Sequence, residues 1–232
     1  MNPNKRTARL AGAFYLGVVI FGIFSIAYVP SQLIRWKDAA QTLQNIQASE
    51  SLFRWGIAGG VGCYLCFTLL PLTLYRLLKP VHEHLALLMT VLALLSVPVS
   101  FLNLQHKFDV LSLLHSGASY GVSAEQLQQQ VMLHLVSYSN GVVIAQVFWG
   151  LWLLPFGYLV YRSGFLPKIL GVLLMLGCAG YMFGFLIDTV FPGLENAPWV
   201  SYVRLPATIG EIGTCLWLLI IGVNAKKLSL TK

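Results

Sequence analysis

FWGLWLLPFGYLVYRSGFLPKILGVLL, residues 148–174, is the stretch that decides the fold class. It contains the end of one apolar run, a short turn that carries Arg162 and Lys168, and the start of a second apolar run. A transmembrane helix needs about 20 predominantly apolar residues. The runs on both sides of the turn extend far enough to meet that length. The stretch therefore predicts two membrane-spanning helices joined by a tight turn.

The composition of the whole chain also indicates a membrane protein. The 232 residues are 57% hydrophobic and 10% charged, and their mean hydropathy is +0.73. A soluble domain has about 25% charged residues. The net charge of +7 could indicate a nucleic-acid partner, but the basic residues lie between apolar runs and not in a patch with interleaved aromatic residues. We therefore expect membrane lipids as partners, and no nucleic acid.

Six apolar runs predict an all-α polytopic membrane helix bundle that forms a single domain of residues 1–232. The first run is too long for the apolar part of a typical signal peptide, so we expect a retained span. The fourth belongs to a predicted helix of about 57 Å that begins at a capping box of Ser123 and Gln126. This helix is expected to project several turns beyond the membrane with a bend, and a break near Asn140-Gly141 is the alternative. The predicted spans are residues 10–29, 55–77, 84–103, 134–161, 168–187 and 205–223.

The distribution of basic residues predicts the orientation. The segments between spans carry ten basic residues on one side and five on the other. The positive-inside rule places the richer side in the cytoplasm, so both termini are predicted to be cytoplasmic. The ten are Lys5, Arg6, Arg9, Arg76, Lys79, Arg162, Lys168, Lys226, Lys227 and Lys232, and the five are Arg35, Lys37, Arg54, Lys107 and Arg204.

The polar segment before the second span contains a candidate amphipathic helix. Within residues 38–52, Ala39, Leu43 and Ile46 recur at helical spacing. Such a helix can lie at a membrane surface with its apolar face in the lipid. An ordinary ordered loop is the alternative interpretation.

Cysteine and glycine patterns indicate helix packing more than a cofactor site. Cys63-x-x-Cys66 has the spacing of a redox or metal motif, but it lies in an apolar run and lacks a second ligand pair. Small residues in apolar helices let neighbouring backbones approach closely, and they also suit a homo-oligomer. We expect no cofactor. The glycine-rich faces consist of Gly56, Gly59, Gly60 and Gly62 in one helix and Gly177, Gly180 and Gly184 in another.

Histidine and acidic residues recur in the predicted outer segments and in the outer parts of two predicted spans. Some membrane hydrolases bind a metal through three histidines and an acid. The spacing here is irregular and includes no His-x-x-x-His pair, so the sequence predicts neither a metal site nor a catalytic residue. The residues are His106, Asp109, His115, His134, Asp188 and Glu211.

Glu211 is the strongest candidate for a functional side chain. A carboxylate within a span costs about 2.5–3.5 kcal/mol on insertion scales and usually faces a cavity or the bundle interior. Glu211 and Gln146 lie about 22 and 24 Å from the cytoplasmic ends of their helices. A structural hydrogen bond, or an ion pair with Arg204 or Arg54, is the alternative role for Glu211. The predicted ligand-binding residues of an outward-facing polar pocket are Glu211, Gln146, Asp188, Asn103 and Arg204.

Three classes of function fit these observations. The first is binding or transport of a lipid or small amphipathic molecule, the second is a membrane-embedded enzyme that acts on lipid, and the third is an assembly or sensory subunit. A single carboxylate within the spans, proline-interrupted helices and the lack of a catalytic constellation favour the first class.

Four stretches of the chain carry a family resemblance. They are RLAGAFYL at residues 9–16, NIQASESLFR at residues 45–54, the hairpin at residues 148–174, and Gly210-Glu211 with LWLL at residues 216–219. On these stretches the chain resembles the domain of unknown function 4386 family of bacterial membrane proteins. The resemblance implies a bacterial multi-pass protein of unknown activity, and it assigns no catalytic or binding residue. We expect the chain to lie in the bacterial inner membrane.

Overall fold

Helices make up almost all of the computed structural model, which describes residues 3–116, 121, 123–191, 193–194, 197 and 199–223. These residues contain no strand, so the predicted all-α class is confirmed. Lys226, Lys227 and Lys232, which contribute to the predicted orientation, lie outside the described residues. The helices are α1 (Pro3–Gly22), α2 (Val29–Leu33), α3 (Ala39–Ala48), α4 (Glu50–Leu78), α5 (Glu83–Asn103), α6 (Gln105–Ser116), α7 (Ala124–Leu151), α8 (Leu153–Ser163), α9 (Lys168–Val190), α10 (Val200–Val203) and α11 (Leu205–Leu216), with π-helical turns at Ile23–Tyr28 and Trp217–Ile221.

Among the residues that the structure describes, five helical runs are long and apolar enough to cross a membrane. They correspond to the first five predicted spans and extend past several of the predicted ends. The sixth predicted span corresponds to a shorter apolar helix, Leu205–Ile221. The five longer runs are Asn4–Leu33, Glu50–Leu78, Glu83–His115, Ala124–Ser163 and Lys168–Val190.

Helix α3 confirms that the polar segment before α4 is helical. The Asp38 carboxylate caps its first turn by accepting a hydrogen bond of 2.8 Å from the Gln41 N–H. The apolar face of α3 is not free to enter lipid, because Leu43 and Ile46 are buried in the protein. Asn45 fixes α3 to the end of α2 by donating a hydrogen bond of 3.1 Å to the Leu33 carbonyl.

The long helix predicted from residue 124 begins where expected but is interrupted elsewhere. The Gln126 N–H donates to the Ser123 hydroxyl at 3.2 Å, and the Ser123 N–H donates to the Gln126 side chain at 2.9 Å, which confirms the capping box. The alternative of a break at Asn140-Gly141 is wrong, because α7 continues to Leu151. The interruption falls at Trp152 because Pro155, three residues later, cannot donate a hydrogen bond to the Leu151 carbonyl and its ring crowds that oxygen.

The turn between α8 and α9 has the tight geometry predicted for the hairpin. Helix α8 ends at Gly164, whose φ of 69° lies in the left-handed region that a side chain disfavours. The Ser163 hydroxyl accepts a hydrogen bond of 3.3 Å from the Leu166 N–H. Pro167 then fixes the backbone before α9 begins at Lys168.

The chain packs as two compact units. The first consists of Met1–Gly17, Leu65–Pro98 and Val143–Lys232, and the second of Val18–Tyr64 and Val99–Val142. Inside the first unit α9 packs against α8 and α11, and Gly177 faces Ala207 so closely that an added Cβ would lie 2.8 Å from the Ala207 Cα. The core of the second unit consists of Val29, Leu33, Ile34, Leu43, Ile46, Phe53, Ile57, Val110, Leu111, Val131 and Leu135.

Candidate functional site

A buried lysine is the most unusual polar group of the second unit. Lys107 lies on α6 with only 4% of its surface exposed. Its ammonium donates a hydrogen bond of 3.2 Å to the Ser25 carbonyl and lies 4.1 Å from the centroid of the Tyr138 ring. No carboxylate forms an ion pair with it in the part of the chain that the structure describes. Lysine is almost never fully buried without a charged partner.

Lys107 lines a largely apolar pocket of about 90 Å³ that is partly open to the surroundings. Ligand sites for drug-sized molecules are about 300–1,000 Å³, so this pocket would enclose one portion of a ligand. An ammonium in an apolar wall suits an anionic group attached to a hydrocarbon chain. The other lining residues are Ile26, Val29, Pro30, Leu33, Ile34, Trp36, Phe53, Leu135, Tyr138, Ser139 and Val142.

Asn103, a predicted ligand-binding residue, holds the helix that carries Tyr138. Its amide is buried and donates a hydrogen bond of 2.9 Å to the Tyr138 carbonyl. Gly141 makes this contact feasible, because a Cβ added there would collide with the Asn103 side chain. The residues that line the pocket do not include Asn103. Its role in this unit is therefore to position α7, and with it the ring over Lys107.

The other four predicted ligand-binding residues belong to the first unit. Glu211 lies on α11, where its side chain is half-buried. Gln146 lies on α7, and its side-chain oxygen is buried without a hydrogen-bond partner among the described residues. Arg204 and Asp188 form an ion pair of 2.7 Å.

The arginines expected as partners of Glu211 are engaged elsewhere. Arg204 bonds Asp188, and a Cβ added at Gly184 would lie 2.9 Å from the Arg204 guanidinium, so this glycine makes room for the arginine. Arg54 donates to Glu50 at 2.6 Å and lies 3.0 Å from His115. Among the described residues of the first unit, Arg204 therefore pairs with Asp188 and forms no ion pair with Glu211.

Three of the six histidine and acidic residues converge in the second unit. His106, Asp109 and His134 each offer a ligand atom, and these atoms all lie within 4.8 Å of one another. His115 lies apart from this group, beside Glu50 at 3.0 Å. The spacing of these residues in the sequence does not reveal the cluster, because its members come from two helices, α6 and α7.

Sequence reasoning also missed Lys107 as a site residue and used it only as a topology signal. A clue was available, because residues 99–116 contain neither glycine nor proline. Nothing in that stretch forces the chain out of a helix after the third span. A helical continuation would have placed Lys107 on the same run as buried apolar residues instead of in a loop.

Comparisons with known proteins agree with the resemblance carried by the four stretches. A protein of Archaeoglobus fulgidus with the printed name "Uncharacterized protein" is 27% identical over 165 residues, which cover 70% of this chain and 82% of that protein. No solved structure matches the chain. A family model with the description "Domain of unknown function (DUF4386)" matches residues 10–222. Because this match covers most of its length, the chain belongs to the DUF4386 family.

Proposed function

We propose that this multi-pass membrane protein binds an amphipathic anion in the pocket lined by Lys107. The observation that carries the proposal is a buried ammonium, without an ion-pair partner among the described residues, in an otherwise largely apolar wall. A hydrogen bond to a charged group contributes about 1.5–3 kcal/mol. A ligand carboxylate or phosphate would supply such a bond, and its alkyl chain would contact the apolar lining.

The ligand class follows from the chemistry of the lining. The Ser25 carbonyl and the Tyr138 ring stabilise the ammonium, but neither neutralises its charge. An ammonium carries three N–H donors, so donors remain after the bond to Ser25. Free fatty acids and anionic phospholipids share the required combination of an anionic group and a hydrocarbon chain.

The Lys107→Met variant is expected to lower labelling of the pocket at least tenfold, because the anion loses a charged hydrogen bond. The probe is a palmitic acid analogue with a diazirine on its alkyl chain, photolysed in membranes that contain the full chain. Mass spectrometry should then find crosslinks in peptides that hold residues 26–36 and 135–142. The matched control is Lys168→Met, because the Lys168 ammonium also lies over a tyrosine ring, 5.3 Å from Tyr161, but is exposed.

Competition identifies the head group. Unlabelled palmitic acid should displace the probe, and hexadecanol, which has the same chain without the charge, should displace it far less. Phosphatidic acid as a third competitor separates a phospholipid head group from a free carboxylate. Equal displacement by the alcohol, or labelling unchanged in Lys107→Met, would show that Lys107 only stabilises the fold.

We also propose that the six apolar helices all cross the membrane and that both termini lie in the cytoplasm of a bacterial cell. The basic residues support this topology, because Lys79 follows α4 directly and Arg162 lies in the last turn of α8. The shorter helix Leu205–Ile221 would be the sixth span.

Cysteine labelling tests this topology. A cysteine at Lys37 is expected to react with a membrane-impermeant maleimide in intact cells, and a cysteine at Val81 only after permeabilisation. Labelling is read on purified protein, with the unsubstituted chain as the control for its own cysteines. Reaction of Val81→Cys in intact cells would reverse the proposed orientation.

We also propose that Glu211 and Gln146 contact a ligand in the first unit. The unpaired side-chain oxygen of Gln146 supports a polar function there. Asp188 and Arg204 form an ion pair, and we propose that they join α9 to the segment before α11.

The glycine faces lend little support to a homo-oligomer, because their members pack within the chain. Gly60 faces Leu104, Gly177 faces Ala207 and Gly180 faces Val203.

A further inference from the structure

We infer that His106, Asp109 and His134 form a binding site for a divalent transition metal such as Zn²⁺. Two imidazoles and one carboxylate are ligands that zinc accepts in proteins. The side chains come from α6 and α7 of the second unit. The inference rests on this cluster and does not depend on the Lys107 pocket.

The distances in the cluster fit a metal. The Asp109 Oδ2 lies 3.3 Å from the His134 Nδ1 and 3.9 Å from the His106 Nδ1. Metal–ligand bonds of about 2.0–2.2 Å in a tetrahedral site place the ligand atoms about 3.3–3.6 Å from one another. The Asp109–His134 pair already has that separation. The His106 side chain must move closer, since the three ligand atoms lie within 4.8 Å of one another.

The surroundings orient these ligands. His106 and Asp109 are three residues apart on α6, so their side chains share one helix face. The Gln105 amide donates a hydrogen bond of 3.0 Å to the Asp109 Oδ1, which leaves the Oδ2 directed at the histidines. Outer partners of this kind fix metal-binding carboxylates in their binding geometry. The His106 Nδ1 is buried and has no hydrogen-bond partner in the described part of the chain.

The ligand number and exposure define the kind of site. Side-chain exposures of 37% for His106 and 31% for Asp109 and His134 leave a path for an ion to enter. Three protein ligands leave the fourth coordination position free for water, as in catalytic zinc sites. Imidazole nitrogens favour zinc and its transition-metal neighbours over Mg²⁺ and Ca²⁺, which prefer oxygen ligands.

Zinc binding by the purified full chain, with any affinity tag removed, tests the inference. Competition with a chromogenic zinc chelator should give one bound Zn²⁺ per chain, and Co²⁺ should give the visible absorption bands of a tetrahedral site. Asp109→Asn and His134→Asn should each weaken zinc binding at least tenfold, because even loss of an outer partner costs 10–100-fold. Asp109→Asn keeps an oxygen that accepts from Gln105, which preserves the local packing.

The control variant is His82→Asn. His82 and His84 have ring centroids 6.1 Å apart, comparable to the 5.8 Å of His106 and His134. Zinc affinity should not change in this variant. A wild-type chain that binds no stoichiometric zinc, or folded Asp109→Asn and His134→Asn variants with unchanged affinity, would overturn the inference. If those variants do not fold, the wild-type stoichiometry and the Co²⁺ spectrum decide the question.

Discussion

Trp152→Ala is expected to lower the free energy of unfolding by about 3 kcal/mol. This is the lower end of the range for replacing a buried, large aromatic side chain by alanine. Trp152 is 1% exposed, and its ring centroid lies 5.0 Å from that of Phe156, 5.4 Å from Phe67 and 6.3 Å from Tyr15. Alanine would leave a cavity among these three rings. The loss falls at the lower end because an unfolded membrane helix can still expose tryptophan to lipid instead of water.

Trp55→Ala is the matched control, because Trp55 is 68% exposed on α4. Its replacement should change stability by about 0.5 kcal/mol or less. Denaturant-driven unfolding in mixed micelles, followed by circular dichroism, measures both variants. Equal losses for the two variants would mean that the cluster around Trp152 does not form the core of the first unit.

The fold class was predictable because lipid imposes a strong constraint on sequence. A span needs a long apolar run, and the ends of such runs are visible from residue types alone. This is why α4, α5 and α9 begin or end close to the predicted limits. The capping box of Ser123 and Gln126 was equally predictable, since it needs only two suitable residues three positions apart in the sequence.

The contacts that define the candidate sites were not predictable in the same way. Lys107, Ser25 and Tyr138 come from distant parts of the sequence, and the pocket exists only after their helices pack side by side. Depth within a span follows from residue counting, but the direction that a side chain faces around the helix axis does not. For this reason residue counting could place Glu211 and Gln146 at a similar depth, but it could not predict which side chains surround either residue.

The interruption at Trp152 illustrates a related limit. Asn140-Gly141 and Pro155 are both helix-weakening features, and sequence alone does not rank them. In the structure Gly141 is required for the close approach of Asn103, and the helix stays intact there. Proline removes an N–H donor and crowds a carbonyl, but its effect depends on the surroundings, since Pro71 and Pro98 lie inside the uninterrupted helices α4 and α5.

Gly157→Ala is expected to destabilise the protein by about 1–3 kcal/mol, the usual cost of overpacking. An added Cβ at Gly157 would lie 2.6 Å from the Gly171 carbonyl oxygen and 2.8 Å from the Met175 nitrogen. Both atoms belong to the backbone of α9, so no rotamer change can relieve the clash and α8 and α9 must separate. The stretch that identifies the protein as a membrane protein thus also contains one of its closest helix contacts.

Gly213→Ala provides the matched comparison, because it adds the same methyl group on a helix of the same unit. There the new Cβ would lie 2.8 Å from the end of the Leu170 side chain, which can move. Alanine favours a helix over glycine by about 1 kcal/mol, so this variant should be neutral or more stable. The same mixed-micelle unfolding experiment compares the two variants. If Gly157→Ala proves as stable as Gly213→Ala, α8 and α9 do not meet backbone to backbone, and the close packing of the hairpin is wrong.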